Sequence, residues 1–379
     1  MTTATALRAA RTRLLPPVES ALKAVLDQRS PPSGAVRDAN LSHVAPKGSP
    51  GGAGDRIPDL QLRPNAPGHY GMMRYHLGWL DEQLAPVEAP IGKRLRPLIC
   101  LLAAEACGGS PERAVPAAVA LELLHNFTLI HDDVEDGDAL RHHRPTVWKL
   151  WGEPQAINAG DGMHVLAQLT LLELEARGVA PQTVVSLSRR LAETSLIITE
   201  GQHLDLAFER RDDVSPADYL DMIARKSAAL VACSAACGAE AAGATAALLD
   251  ALSAFGIHLG MAFQIRDDIL GIWGDAGTTG KPAGDLRRRK KTLPSLYALS
   301  RADTPERDAI RALFNSPEPD DSLVNAAAAA LERTSARHHC EQMIGRYSSA
   351  ARSYLDRLPP SEAREALGEL ITQLEARDH

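Results

Sequence analysis

Leu124-His125-Asn126-Phe127-Thr128-Leu129-Ile130-His131-Asp132-Asp133-Val134-Glu135-Asp136 carries an apolar helical pattern straight into a cluster of acids. Asp132 and Asp136 are i and i+4, a spacing that stacks two carboxylates on one helix face about 6 Å apart. Such a like-charge pair weakens an isolated helix unless a cation lies between them. As chemistry, the spacing suits Mg²⁺, which takes hard oxygen ligands and completes its shell with water and phosphate. As plain structure, it is a solvated helix end. A second acidic element, Phe263-Gln264-Ile265-Arg266-Asp267-Asp268-Ile269-Leu270-Gly271, follows another apolar run 135 residues downstream. Two such pairs at the ends of apolar helices can hold a metal cluster from both sides of a helical bundle.

Outward from these helices the pattern stays helical. From Tyr70 the periodicity is interrupted only by short punctuation such as Cys107-Gly108-Gly109-Ser110-Pro111 and Gly274-Asp275-Ala276-Gly277. The chain is 45% hydrophobic with only 4% aromatic residues, so its core has to be built from Ala, Leu, Val and Ile. The fold class is all-α, and with no solenoid-length repeat a closed bundle around a cavity is expected. Residues 69–379 form the expected catalytic domain and residues 1–68 an N-terminal extension. Within it, 4–28 can form a short helix with Val18, Leu22, Val25 and Leu26 on one stripe, with Pro16-Pro17 near its first turn or at a break. Residues 29–68 hold seven Pro and six Gly and read as disordered.

A net charge of -7 argues against a nucleic-acid partner. Five cysteines without a Cys-x-x-Cys pair indicate neither a disulfide framework nor a zinc site, and Cys233 and Cys237, one turn apart, read as small buried residues. Glu122, Glu240 and Asp250 interrupt the most apolar segments, so no membrane span is expected, and the N-terminus shows no secretory pattern, which makes the cytoplasm the expected compartment.

Basic groups stand around the acidic helices: Gly92-Lys93-Arg94-Leu95-Arg96-Pro97, Arg141-His142-His143-Arg144, Lys226-Ser227, and Lys281 followed by Arg287-Arg288-Arg289-Lys290-Lys291-Thr292. Each alone is a solvated face. Around two metal-binding helices they become counter-charges for a diphosphate.

In this order the motifs resemble those of the trans-polyprenyl diphosphate synthase family, over about residues 70 to 379. Asp132-Asp133-x-x-Asp136 is followed by Arg141; Gly92-Lys93-x-x-Arg96 precedes it; Gly201-Gln202-x-x-Asp205, Lys226-Ser227 and Gln264-x-x-Asp267-Asp268 come after, with Lys281 fourteen residues past Asp267. The resemblance, closest to bacterial geranylgeranyl and farnesyl diphosphate synthases, implies an isoprenoid-synthase-type helical bundle around a central deep cavity. It implies a prenyltransferase that condenses isopentenyl diphosphate with an allylic diphosphate. Asp132 and Asp136 would bind two Mg²⁺ ions and Asp267 a third, with Asp133 and Asp268 in support. Arg141, Lys226, Lys281 and Lys291 would hold the allylic diphosphate, and Lys93, Arg96 and His125 that of isopentenyl diphosphate. Ser227 and Gln264 would turn oxygen dipoles to the allylic cation. It further implies a homodimer, and residues 1–68 resemble leaders that load some bacterial members into encapsulin shells.

Three features depart from the family pattern. His142 stands at an isopentenyl-diphosphate-binding arginine position, Gly271 replaces the third Asp of the second motif, and the loop after Lys281 is one residue short, which leaves Lys290 and Lys291 interchangeable. A class I terpene cyclase would carry an Asn/Asp-x-x-x-Ser/Thr-x-x-x-Glu motif in place of the second Asp pair, and a non-catalytic subunit normally loses the Asp motifs. Product length is expected from the turns below Asp132. At about 1.5 Å per residue, Phe127 and Thr128 lie roughly 6 to 8 Å below it and Leu124 about 12 Å. An aromatic five residues before the first Asp resembles geranylgeranyl synthases, and Thr128 leaves open the position whose aromatic goes with farnesyl products.

Overall fold

The computed structural model describes residues 5–28, 67–87, 92–274, 283–301 and 305–376. Their helices, in chain order, are α1 (Ala6–Asp27), α2 (Pro67–His76), α3 (Leu95–Ala106), α4 (Pro111–Glu135), α5 (Val147–Trp151), α6 (Glu153–Leu172), α7 (Pro181–Glu209), α8 (Pro216–Ile223), α9 (Ala229–Ala241), α10 (Ala246–Trp273), α11 (Gly284–Arg287), α12 (Leu293–Leu299), α13 (Pro305–Asn315), α14 (Asp321–Arg333), α15 (Ala336–Leu355) and α16 (Glu362–Glu375). Between α4 and α5, β1 (Leu140–Arg141) and β2 (Arg144–Pro145) form a short antiparallel hairpin. Local chemistry starts several helices: Ser215 and Asp218 make a capping box on α8 with Pro216 in its first turn, and Asp320 and Ser361 cap α14 and α16.

The chain divides into two compact units. One comprises residues 1–19, 93–125 and 166–379. Here α10 packs on α9 and α15, and α9 on α3, through Ala235, Ala236 and Ala239 and the buried cysteines 100, 233 and 237, which is the small-residue packing expected from composition. Cys233 and Cys237 are both buried, their sulfurs 3.6 Å apart. Beyond Ile272, the helices α11 to α14 close a second apolar cluster around Leu286, Ile310, Leu313 and Leu331.

The other unit comprises residues 20–92 and 126–165. Its hairpin is held by Arg144, whose guanidinium donates to the carbonyls of Tyr75 (3.1 Å) and Leu80 (2.6 Å), while Tyr75 Oη donates to Pro145 O (2.6 Å). Thr146 and Trp148 both donate to Asp138 O at 2.8 Å.

Two expectations change. Helix α1 falls within the expected 4–28 but is not short: it runs through Pro16 and Pro17 for 22 residues, with Leu7, Leu14, Val18, Leu22 and Leu26 buried. Its backbone N–H groups at Ala6 and Leu7 donate to Glu369. Burial of that stripe offsets the missing proline donors, with residues 6–19 assigned to the first unit and 20–27 to the second. The disorder expected for 29–68 falls almost wholly on residues outside the described set. The exclusion of membrane spans was also too strict, because Pro111–Glu135, Pro216–Ala241 and Ala246–Trp273 are long and apolar enough on length and composition alone. The apolar windows of the first two are 78% and 72% buried inside the protein.

Candidate active site

The first acidic motif sits at the C-terminus of α4, where the helix dipole disfavours negative charge, and the second lies five to six residues before the end of α10. Helix α4 ends in a Schellman pattern: Gly137 takes φ 65°, Gly137 N–H donates to Val134 O (3.3 Å) and Asp138 N–H to Asp133 O (3.0 Å). Asp136 is therefore the first residue past the helix, yet its N–H still donates to Asp132 O at 2.8 Å, which keeps the i, i+4 relation. Asp132 is half-buried and Asp136 exposed. Asp133 is buried, and Arg141 on the hairpin donates to its Oδ1 at 2.7 Å. Burial raises the Asp133 pKa and the Arg141 bond and charge oppose it.

The second motif repeats the arrangement inside the other unit. Asp267 is half-buried. Asp268 is only 2% exposed and accepts from Tyr219 Oη (2.7 Å), Gln264 Nε2 (3.2 Å) and the Leu293 N–H (3.4 Å). Burial pushes Asp268 up to about 7, against the Tyr219 and Gln264 hydrogen bonds and the charge of Lys290, with Asp285 adding to the rise. Ser227 Oγ donates to Gln264 Oε1 at 2.6 Å, so Ser227, Gln264, Asp268 and Tyr219 form one chain of hydrogen bonds. Each motif thus has one buried, fixed carboxylate beside a half-buried one.

The basic residues divide by structure. Lys226 lies in a π-helical turn, Ala224–Ala228, and donates to Asp205 Oδ2 at 2.6 Å. A Cβ on Gly201 would collide with the Lys226 backbone, so the Gly201-x-x-x-Asp205 spacing first admits that turn and then holds its lysine. Lys93 is exposed on its loop. Arg96, half-buried in the first turn of α3, lies 3.0 Å from His125 Nε2, and its Nε is buried without a hydrogen-bond partner. Burial pulls the Arg96 pKa down, against the charges of Glu122 and Asp267. His142 is exposed in the two-residue turn of the hairpin, where it and His143 take φ 50° and 64°. Burial, then the charges of Arg141 and His143, lower the His142 pKa, so near neutral pH it offers no arginine-like charge.

Lys291, which the resemblance assigns to the allylic diphosphate, is engaged within the protein. Its ammonium caps the C-terminus of α7, donating to Phe208 O (2.9 Å) and to the carbonyls of Glu209 and Arg211. Lys290 instead places its charge near Asp268. The positive φ of Arg289, 55°, sits just before the two lysines. Lys281 lies outside the described residues. Leu124 is buried, Thr128 half-buried, and the Phe127 ring is stacked on His164 (4.9 Å) and edge-on to His131 (4.8 Å).

Gly271 turns out to be more than a missing carboxylate. Helix α10 continues through it to Trp273, and a Cβ there would strike the buried carboxylate of Asp285, carried by α11. An acid from another element fills the room beside Gly271. Tyr219 and Asp285 carried no spacing signal in the sequence; an acid amid the basic run from 281 to 291 was the only hint.

Among the described residues no three His, Cys, Asp or Glu side chains form a metal cage of their own. The carboxylates fit Mg²⁺ in another way, as one or two hard-oxygen ligands whose shell is completed by water and phosphate oxygens.

Residues 78–331 match the polyprenyl synthetase family model. Over 247 residues the chain is 46% identical to the (2E,6E)-farnesyl diphosphate synthase of Mycobacterium tuberculosis, covering 65% of this chain. It thereby spans 65% of that relative's length. It is 43% identical over 272 residues to the geranylgeranyl diphosphate synthase of the same organism, covering 72% of this chain and 76% of that one. The crystal structure of a polyprenyl synthetase from Streptomyces coelicolor A3(2) aligns with a TM-score of 0.80 at 34% identity, over 97% of this chain and 98% of that one.

Gly271→Asp, which restores the family carboxylate, is expected to lower stability by about 1–3 kcal/mol through overpacking and like-charge contact. Asp285→Ala in the same chain should recover most of the loss. Urea unfolding of the two single variants and the double variant measures the coupling, and additive effects would show that the two sites do not meet.

Proposed function

This chain belongs to the polyprenyl synthetase family, and we propose that it is a short-chain trans-prenyltransferase that joins isopentenyl diphosphate to an allylic diphosphate. The observation that carries the reading is the repeated build of the two acidic motifs, each a fixed buried carboxylate beside a half-buried one toward the C-terminal end of a helix. In it, Asp132, Asp136 and Asp267 hold Mg²⁺, while Asp133 and Asp268 fix the backbone and basic residues around them. Magnesium, when bound, supplies positive charge that stabilises the departing diphosphate. Arg141, Lys226 and Lys281, with Lys290 in place of Lys291, hold the allylic diphosphate. Lys93, Arg96 and His125 hold that of isopentenyl diphosphate. The allylic C–O bond breaks, the isopentenyl double bond attacks the allylic carbon, and the proton then lost passes to an oxygen of the released diphosphate.

The geranylgeranyl product is the reading we favour over the farnesyl one. Phe127 supports it, because its ring is held between His131 and His164 and cannot swing aside freely, whereas Thr128 adds no second wall.

A homodimer is the third element of the proposal. On α6, Ile157, Val165, Leu169 and Leu172 share one face, and on α7 Val185, Leu196 and Ile197 lie toward the surface. These residues are between 36% and 61% exposed, a loss of burial that a second copy would reverse.

Three outcomes are expected. Incubation with isopentenyl diphosphate, Mg²⁺ and dimethylallyl, geranyl or farnesyl diphosphate should yield mainly a twenty-carbon prenyl diphosphate, and Asp132→Ala or Asp267→Ala should each abolish it while leaving the helical circular dichroism intact. A cyclised hydrocarbon, or no product from the wild type, would defeat the reading. Phe127→Ala should lengthen the product and Thr128→Phe shorten it; chromatography showing the same lengths in both would place the floor elsewhere. Light scattering at micromolar concentration should read twice the 40.6 kDa chain mass, and a monomer would remove the homodimer.

A further inference from the structure

We propose that Glu19, on the N-terminal helix, is a positioning residue for the isopentenyl diphosphate cradle, acting through Arg94. The inference rests on the assignment of Lys93, Arg96 and His125 to that cradle.

Arg94 lies in sequence between Lys93 and Arg96, yet its side chain is 5% exposed and turned into the protein. Its Nε donates to Glu19 Oε1 at 2.5 Å and its Nη1 to Glu122 Oε1 at 2.7 Å. A buried guanidinium persists when carboxylates meet it on more than one side, and breaking one partner leaves charge uncompensated. Burial acts against the charged form of Arg94, and the two glutamates more than reverse it.

Arg94 also fixes the backbone. It is the residue before α3 and takes φ 48° and ψ 43°, a left-handed conformation that costs a non-glycine residue free energy and persists only where its surroundings hold it. No side chain caps this helix start. The dihedrals of Arg94 therefore set where the loop carrying Lys93 leaves and where the first turn, carrying Arg96, begins.

Glu122 and His125 are i and i+3 on α4, so they share a face. The Glu122–Arg94 and His125–Arg96 contacts form two adjacent rungs between α4 and the start of α3. Glu19 is the one anchor on this pair of rungs that comes from α1, and its side chain is 23% exposed. Without its charge, Arg94 keeps a single carboxylate and the left-handed turn loses one of its two restraints. The effect falls on the diphosphate that Lys93 and Arg96 grip, not on the one that departs.

The test compares Glu19→Gln with Arg13→Ala in the full chain. Arg13 makes the other α1 ion pair in this region, with Glu105, and is remote in chemistry from the cradle. Glu19→Gln is expected to raise KM for isopentenyl diphosphate about tenfold, the effect of one lost hydrogen bond to a charged group. KM for the allylic diphosphate and kcat should stay close to wild type. Arg13→Ala should leave all three constants unchanged, and Glu19→Asp should recover part of the lost affinity. Calorimetry with isopentenyl diphosphate alone should show the same weakening in the absence of turnover. An unchanged KM for isopentenyl diphosphate in Glu19→Gln, or an equal rise for both substrates, would overturn the role. Failure of the wild type to turn over these substrates would instead strike the assignment of the reaction, so the two failures are distinct.

Discussion

Carboxylates crowded at the C-terminal end of a helix repel one another and repel the unsatisfied carbonyls beside them. Helix α4 ends on Asp132, Asp133 and Glu135 with Asp136 just past it, and α10 carries Asp267 and Asp268 five to six residues before its own end, with no basic residue in the last turn of either. The protein answers the repulsion only in part. One acid of each adjacent pair is taken out of solvent and tied down, Asp133 by a guanidinium and Asp268 by a phenol, an amide and a backbone N–H. The acid beside it, Asp132 or Asp267, is half-buried and keeps part of its surface toward solvent. Much else in the chain serves this arrangement: the Gly137 terminator, the Arg144 clamp on the hairpin, the π-helical turn against Gly201, and the Gly271 gap that admits Asp285.

The basic side follows the same division. Arg94 and Lys291 are cations turned to structure, one between buried glutamates and one on helix carbonyls. Nearby in sequence, Lys93 is exposed, Arg96 meets His125 and the charge of Lys290 acts on Asp268. In each case a left-handed residue at or just before the pair, Arg94 or Arg289, separates side chains that the sequence presents as equivalent.

That separation marks where the sequence stops being legible. The all-helical class, the two carboxylate helices and the ordered basic groups could be read directly, because periodicity and i, i+4 spacing are local properties. The different surroundings of Lys290 and Lys291 could not, because they follow a left-handed residue, Arg289. Helix α1 was undervalued for its Pro16-Pro17 step and the proline- and glycine-rich stretch that follows, since its stability comes from tertiary burial of Leu14, Val18 and Leu22. Tyr219 and Asp285 were invisible for a related reason: each meets the second motif across the fold, at no characteristic spacing. His142, which stands at an arginine position of the family pattern, lies at the hairpin tip, where it and His143 both take positive φ.

The central claim, which rests on the proposed function, is that the half-buried carboxylates Asp132 and Asp267 are half-sites, prepared by their fixed neighbours and completed by a metal together with a diphosphate. Calorimetric titration of the full chain with Mg²⁺, in the presence and absence of inorganic diphosphate, tests it most directly. The account predicts weak uptake of Mg²⁺ alone and tight uptake with diphosphate, with the tight phase lost in both Asp132→Asn and Asp267→Asn. Equal uptake with and without diphosphate, or a tight phase that survives either substitution, would contradict it.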